Sequence, residues 1–115
     1  MSDLVNDILD KSRMLDVAIT ELKRRGQKYA EAEKAYRVAL AKQILTERDN
    51  GVPVTIISDI CKGKAEIAAL RFERDCAEVV YKSAMEAINS MKLQIRLLDN
   101  QLDREWGAAK WGRCY

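Results

Sequence analysis

The second half of the chain carries an apolar repeat of seven residues, which restricts the possible folds more than any other feature of the sequence. Two interleaved series of positions are apolar or aromatic at nine of ten places, and Arg74 is the exception. The series are Leu70, Ala77, Ala84, Met91 and Leu98, and Arg74, Tyr81, Ile88, Ile95 and Leu102. A heptad pattern of this length is typical of a helix that packs lengthwise on another helix. It predicts a helix from about Lys64 to about Glu105.

The first half carries a matching pattern. Apolar or aromatic residues recur every seven positions, at Ile8, Leu15, Leu22, Tyr29 and Tyr36. The pattern predicts a helix over residues 3–49, and Asn50-Gly51 supplies the residue types that end helices. Gly26 lies inside this helix, where glycine costs about 1 kcal/mol relative to alanine. We therefore expect a kink, a break or a close approach of another element at Gly26.

The segment between the two helices is short and contains Pro53, the only proline. Its β-branched residues are compatible with a strand, but a single strand would leave its backbone groups unpaired. We therefore predict a short helix over Ile56–Lys62, with Thr55 as the N-cap and Gly63 as the stop.

Two long helices joined by a short segment predict an antiparallel hairpin. Pairing residues whose numbers add up to 113 places large side chains opposite small ones, because Tyr36 then faces Ala77 and Ala32 faces Tyr81. This register is a hypothesis that follows from the pattern of side-chain sizes.

The apolar stripe on each helix is wider than a two-stranded seam requires, so we expect hairpins to assemble further. The predicted fold class is an all-α, coiled-coil-like antiparallel helical hairpin with a short helix or turn at its tip, assembling into a helical-bundle oligomer, either a dimer or a higher state. We assign residues 1–106 to a single hairpin domain and residues 107–115 to a C-terminal tail of alternating aromatic and basic residues.

Composition excludes several classes of function. The chain has no histidine, which removes Ser-His and Cys-His catalysis and histidine metal sites. Its cysteines, Cys61, Cys76 and Cys114, have neither the number of a disulfide framework nor the spacing of a zinc site. We expect a reducing cytosol and Cys76 in the core. No apolar run is long enough to span a bilayer. We predict no enzyme, cofactor, metal site or membrane partner.

The tip of the hairpin is the first candidate site for a ligand or partner. Lysines around Gly63, at the start of a helix, are placed to receive an anion, although the phosphate-loop pattern GxxxxGK[ST] is absent. Arg74 occupies a seam position, where an arginine needs an acidic partner or a ligand. The candidate residues are Thr55, Lys62, Lys64, Arg71 and Arg74. Ordinary surface chemistry at a helix turn is the alternative.

A basic cluster in the first helix is the second candidate. Its charge density suits phosphates, and an aromatic residue of the tail suits base stacking. The residues are Lys23, Arg24, Arg25, Lys28 and Trp111. The alternatives are a solvated helix face and a frayed tail, since a net charge of +2 does not by itself require nucleic acid.

Four segments in this order resemble small helical proteins that phages and prophages of Firmicutes encode near early recombination genes. The segments are YRVAL at residues 36–40, GVPVT at 51–55, RFERD at 71–75 and QLDREW at 101–106. The resemblance covers most of the chain. It implies a cytoplasmic phage protein expressed in a bacterial host, and it supplies a context without a mechanism.

From these observations we expect a non-enzymatic phage accessory protein that acts by binding. One form is counter-defence, either by blocking a host immunity protein or by sequestering a nucleotide signal at the tip of an oligomer. The alternatives are an accessory protein of recombination or replication that binds nucleic acid, and a purely structural scaffold bundle.

Overall fold

The protein is an all-α helical hairpin, as predicted. A computed structural model describes the backbone of residues 2–112 and the side chains of residues 3–108. Helix α1 spans Ser2–Asp49, the short α2 spans Ile57–Lys62, and α3 spans Ala65–Gly112. Within these described residues, no helix combines the length and apolar character that a bilayer crossing requires.

The heptad positions form the seam of the hairpin. All ten predicted positions of α3 are buried or half-buried, and so are the five predicted positions of α1. The most deeply buried apolar residues are Tyr36, Ile57, Cys61, Ile67, Ala84 and Ile88. The core is therefore a single layer of side chains, as expected for two helices that share one seam.

Contacts divide the chain into two compact units. The turn unit, Arg24–Lys82, contains α2 and the adjoining parts of α1 and α3. Its core includes Cys61, whose exposure is zero. The terminal unit combines Met1–Lys23 with Ser83–Tyr115, and its core includes Ala84 and Ile88.

Helix α1 ends as the sequence predicts. Gly51 adopts a left-handed backbone conformation, with φ of 85°. Its N–H donates to the carbonyl oxygen of Arg48 at 3.0 Å. The N–H of Val52 donates to the carbonyl oxygen of Glu47, also at 3.0 Å. This pair of bonds is the Schellman motif, which satisfies carbonyls that the end of a helix leaves unpaired.

Helix α2 exists, but the predicted N-cap is wrong. Ile56 is the N-cap residue and makes no side-chain capping bond. The N–H of Ile56 donates to the carbonyl oxygen of Pro53 at 3.2 Å, so Thr55 lies inside the turn that precedes the helix. Gly63 follows the last residue of α2, as predicted, and its φ of −80° is right-handed.

Helix α3 is longer than predicted. It continues past Glu105 and through Gly107 to Gly112. A single glycine costs a helix about 1 kcal/mol, which is too little to end one that is otherwise favourable. The predicted tail is therefore helical over residues 107–112. The side chain of Trp111 and all of Cys114 lie outside the described residues.

Gly26 marks a close approach rather than a break. Helix α1 is continuous through this position. A Cβ atom at residue 26 would lie 2.9 Å from Cε2 of Tyr81, so glycine provides the space for the tyrosine ring. The same ring lies against Tyr29, with 5.9 Å between ring centroids and 32° between ring planes.

The predicted register is wrong by about one helical turn. Within the turn unit, Tyr36 contacts Arg74, and Tyr81 packs on Gly26 and Tyr29, so the numbers of these contacting residues add up to 107 or 110 and not to 113. The principle of pairing large with small residues holds, because the small partner of Tyr81 is Gly26, where a close approach was one of the three expectations.

Candidate functional site

Arg74 is the seam residue that sequence reasoning could not account for by packing, and it is held by three neighbours. Its Cζ atom lies 4.7 Å from the ring centroid of Tyr36, which is a cation–π distance. Its Nη2 donates to Oδ1 of Asp75 at 2.8 Å, and its Nε lies 3.4 Å from Oε2 of Glu33. An acidic residue of the first helix and Asp75 thus supply the partners that a half-buried arginine needs.

These contacts favour the charged forms of Arg74 and Glu33. The hydrogen bond to Asp75 raises the pKa of Arg74. The pKa of Glu33 is lowered, chiefly by a hydrogen bond from Arg37 and further by the charge of Arg74. The guanidinium therefore serves to join α3 to α1.

Lys64 is the second predicted site residue that contacts α1. Its Nζ lies 2.9 Å from Oε1 of Glu47, a carboxylate that is only 8% exposed. The Nε2 of Gln43 donates to the same oxygen at 2.9 Å. The hydrogen bond from Lys64 lowers the pKa of Glu47, and the pKa of Lys64 is raised in return.

The other predicted tip residues, Thr55, Lys62 and Arg71, are exposed. Among the described side chains, no hydrogen bond or ion pair links any two of the five residues predicted for the tip site. The structure therefore places Lys64, which immediately precedes α3, and Arg74, which lies within α3, in separate ion pairs with α1.

The turn unit contains a groove between α1 and α3. Its volume is about 540 Å³. It is lined by Arg24, Arg25, Lys28 and Ala32 of α1 and by Phe72, Glu73, Cys76, Ala77 and Val80 of α3. We call this feature the basic-rimmed groove, because its cations come from α1 and its apolar floor comes mainly from α3.

Helical spacing explains how the groove forms. Phe72, Cys76 and Val80 are four residues apart, so they lie along one face of α3. Arg24 and Lys28 share a face of α1 for the same reason. Phe72 is 70% exposed and Val80 is 45% exposed, which leaves a considerable apolar surface uncovered. The groove thus offers a hydrophobic contact area beside positive charge.

Sequence reasoning found only part of this groove. It selected the basic residues of α1, and it placed Cys76 in the core, which is wrong because Cys76 is exposed on the groove. The sequence assigns the wide apolar stripe, which includes Phe72 and Val80, to the assembly of hairpins and does not connect it to the cations. The packing of α1 on α3, which brings Ala32 and Ala77 to the same groove, makes the connection.

The remaining residues of the basic-cluster prediction lie elsewhere. Lys23 is exposed and belongs to the terminal unit. The side chain of Trp111 is outside the described residues. In the part of the chain with described side chains, no group of three cysteine or acidic residues is arranged to hold a metal ion.

Comparisons of the chain with models of protein families, with curated proteins and with solved structures find no match. The resemblance to phage-encoded helical proteins therefore stays a prediction from the sequence.

Proposed function

We propose that the chain is a non-enzymatic binding protein that holds a segment of another protein in the basic-rimmed groove. The observation that carries this proposal is the uncovered apolar floor, where Phe72 is 70% exposed in a groove of about 540 Å³. Exposed apolar surface framed by polar residues is characteristic of protein-binding sites.

A protein partner is favoured over a nucleotide ligand by the positions of the tip residues. The nucleotide form of the hypothesis relied on Arg74 and Lys64 facing a ligand. In the structure their charges are directed at Glu33, Asp75 and Glu47. A phosphate would have to compete with these carboxylates, whereas a protein segment in the groove would leave both ion pairs intact.

The phage setting comes from the sequence resemblance, and counter-defence is the form of function that we propose within it. Occupying a surface of a host immunity protein needs no catalytic group, only an exposed and complementary groove on a small stable chain. The self-association expected from the wide apolar stripe would present several grooves at once and so raise the avidity of binding.

Purification of the full chain gives the first test. Size-exclusion chromatography with light scattering and absorbance at two ultraviolet wavelengths should show an oligomer with the absorbance of protein alone. Excess absorbance typical of nucleotides, extracted and identified as a bound ligand, would contradict the proposal of a protein partner.

Photocrosslinking tests the groove itself. A benzophenone amino acid at Phe72, in the full chain produced in bacterial cells, should crosslink to a distinct protein. The same group at Val79 is the matched control, because Val79 is 64% exposed on α3 and does not line the groove. Equal crosslinking from both positions, or none from Phe72, would count against a groove-bound protein partner.

A further inference from the structure

The chemistry of the basic-rimmed groove indicates what kind of segment would fill it. The rim contributed by α1 carries Arg24, Arg25 and Lys28, and Glu73 is the one acidic residue among the described residues that line the groove. Opposite charges across an interface guide the approach and select the partner, so the excess of positive charge favours a partner with acidic side chains.

The dimensions of the floor favour a helix as the partner. From Phe72 to Val80 the floor runs eight residues along α3, which is about 12 Å or two turns of a helix. A docked helix presents apolar anchors at positions i, i+3, i+4 and i+7, which cover a similar length. A floor of this length accepts two or three such anchors.

The floor also argues against single-stranded nucleic acid. Base stacking needs aromatic faces, and among the described side chains Phe72 is the only aromatic residue that lines the groove. The other apolar residues, Ala32, Ala77 and Val80, offer no π-face to a base.

We infer that the groove binds the apolar face of an amphipathic helix whose flanking residues are acidic. This inference rests on the proposed function, because it names the partner chemistry for the same groove. The aliphatic anchors of the helix would cover Phe72 and Val80, and its carboxylates would lie toward the α1 rim at Lys28.

Four fluorescent probes test this inference on the full-length protein. Three are amphipathic helical peptides with the same leucine pattern and with glutamate, glutamine or lysine on the polar face, and the fourth is a single-stranded oligothymidine. We expect anisotropy to show binding of the glutamate peptide in preference to the others. Binding should weaken between about 50 mM and about 200 mM salt, because added ions screen the charges.

Paired variants locate the binding. Lys28→Glu should lower the affinity for the glutamate peptide about tenfold, because it replaces an attraction with a repulsion. Lys34→Glu is the control, since it makes the same charge change about 120° away around α1. Phe72→Ala should lower the affinity about 30-fold, because it removes the aromatic contact of the groove floor. Val79→Ala should leave the affinity unchanged. Circular dichroism should show that all four variants are folded.

The possible outcomes separate this inference from the proposed function. The glutamine or lysine peptide could bind as tightly as the glutamate peptide and lose that binding in Phe72→Ala. That result would exclude an acidic partner and leave the proposal of a protein-binding groove intact. If oligothymidine binds best and Lys28→Glu removes that binding, the partner is a nucleic acid and both proposals fail. If no probe binds, or if Lys34→Glu and Val79→Ala act as strongly as the groove variants, the inference is overturned.

Discussion

Gly26 and Tyr81 show how one contact sets the local packing of the turn unit. A glycine within a long helix is costly, yet α1 is continuous across it. The tyrosine ring lies so close that any side chain at residue 26 would displace it. The cost of the glycine in α1 is thus offset by the packing of an aromatic residue from α3.

Gly26→Ala should have different effects on stability in two backgrounds. In the natural chain the added methyl group meets Tyr81, so the gain in helix propensity is cancelled or reversed. With Tyr81→Ala also present, the same change should stabilise the protein by about 1 kcal/mol. Chemical unfolding of both single variants and the double variant measures the coupling. An identical effect of Gly26→Ala in both backgrounds would refute the contact.

The ion pair between Glu47 and Lys64 predicts a pH dependence of stability. The pKa of Glu47 is lowered in the folded protein, so its charged form stabilises the fold above the pKa of the unfolded chain, about 4.3. That contribution is lost as the pH falls through the lowered folded-state pKa.

Glu47→Gln should therefore lower the melting temperature at neutral pH, and its difference from the natural chain should shrink under acidic conditions. Thermal unfolding over a series of pH values measures this difference. Glu86→Gln is the control at an exposed glutamate of α3. A difference for Glu47→Gln that does not change with pH would contradict a role for the carboxylate charge.

At the scale of elements, two glycines near the tip have different backbone requirements. Gly51 has a positive φ, and a Cβ atom there would meet nothing within 4 Å. Gly63 has an ordinary φ, and its nearest atoms to a Cβ would be at 3.5 Å and 3.6 Å. Only the first glycine is required by its conformation.

Gly51→Ala should destabilise the protein by about 1 kcal/mol, because alanine disfavours the left-handed conformation. Gly63→Ala should be neutral or slightly stabilising, since alanine adopts the existing conformation and restricts the unfolded chain. Urea unfolding compares the two variants. Equal effects would show that the Schellman motif does not depend on glycine.

Most of the helices could be predicted from the sequence, because the residue patterns that specify them are local or strongly periodic. The heptads identified the seam, and Asn50-Gly51 identified the end of α1. The end of α3 did not follow, because Gly107 breaks the pattern without ending the helix. Register did not follow either, since several offsets pair large residues with small ones and only three-dimensional packing selects among them.

The site was predictable only in part, for the same reason. Its seam position alone shows that Arg74 needs an acidic partner or a ligand. The register of α1 against α3 decides that Arg74 contacts Glu33 and the ring of Tyr36. The groove joins residues from both helices. A register that is wrong by one turn therefore does not place Lys28 in the same groove as Phe72 and Val80.

At the scale of the whole molecule, uncovered apolar residues occur in both units. In the turn unit, outside the basic-rimmed groove, they include Val54, 76% exposed, and Leu45, 60% exposed. In the terminal unit they include Val17, 70% exposed, and Leu97, 58% exposed. This much apolar surface on each unit is why we expect hairpins to associate.

The full chain should therefore behave as a dimer or larger oligomer in light scattering. Val17→Asp should shift the protein toward smaller species, because it places a charge on an apolar patch shared with Met14, Ala18 and Met91. Asp16→Asn is the control at the neighbouring exposed position. A monomer at every concentration tested would contradict assembly through the apolar surface.

The fully buried Cys61 and the short connection around it bear on how the chain reaches its native state. Forming the turn unit brings together residues that are close in sequence, so little loop-closure entropy is lost. The terminal unit joins segments separated by the whole turn unit. We expect the transition state for folding to be structured around α2, so that changes near Cys61 slow folding and changes near Ile88 mainly accelerate unfolding.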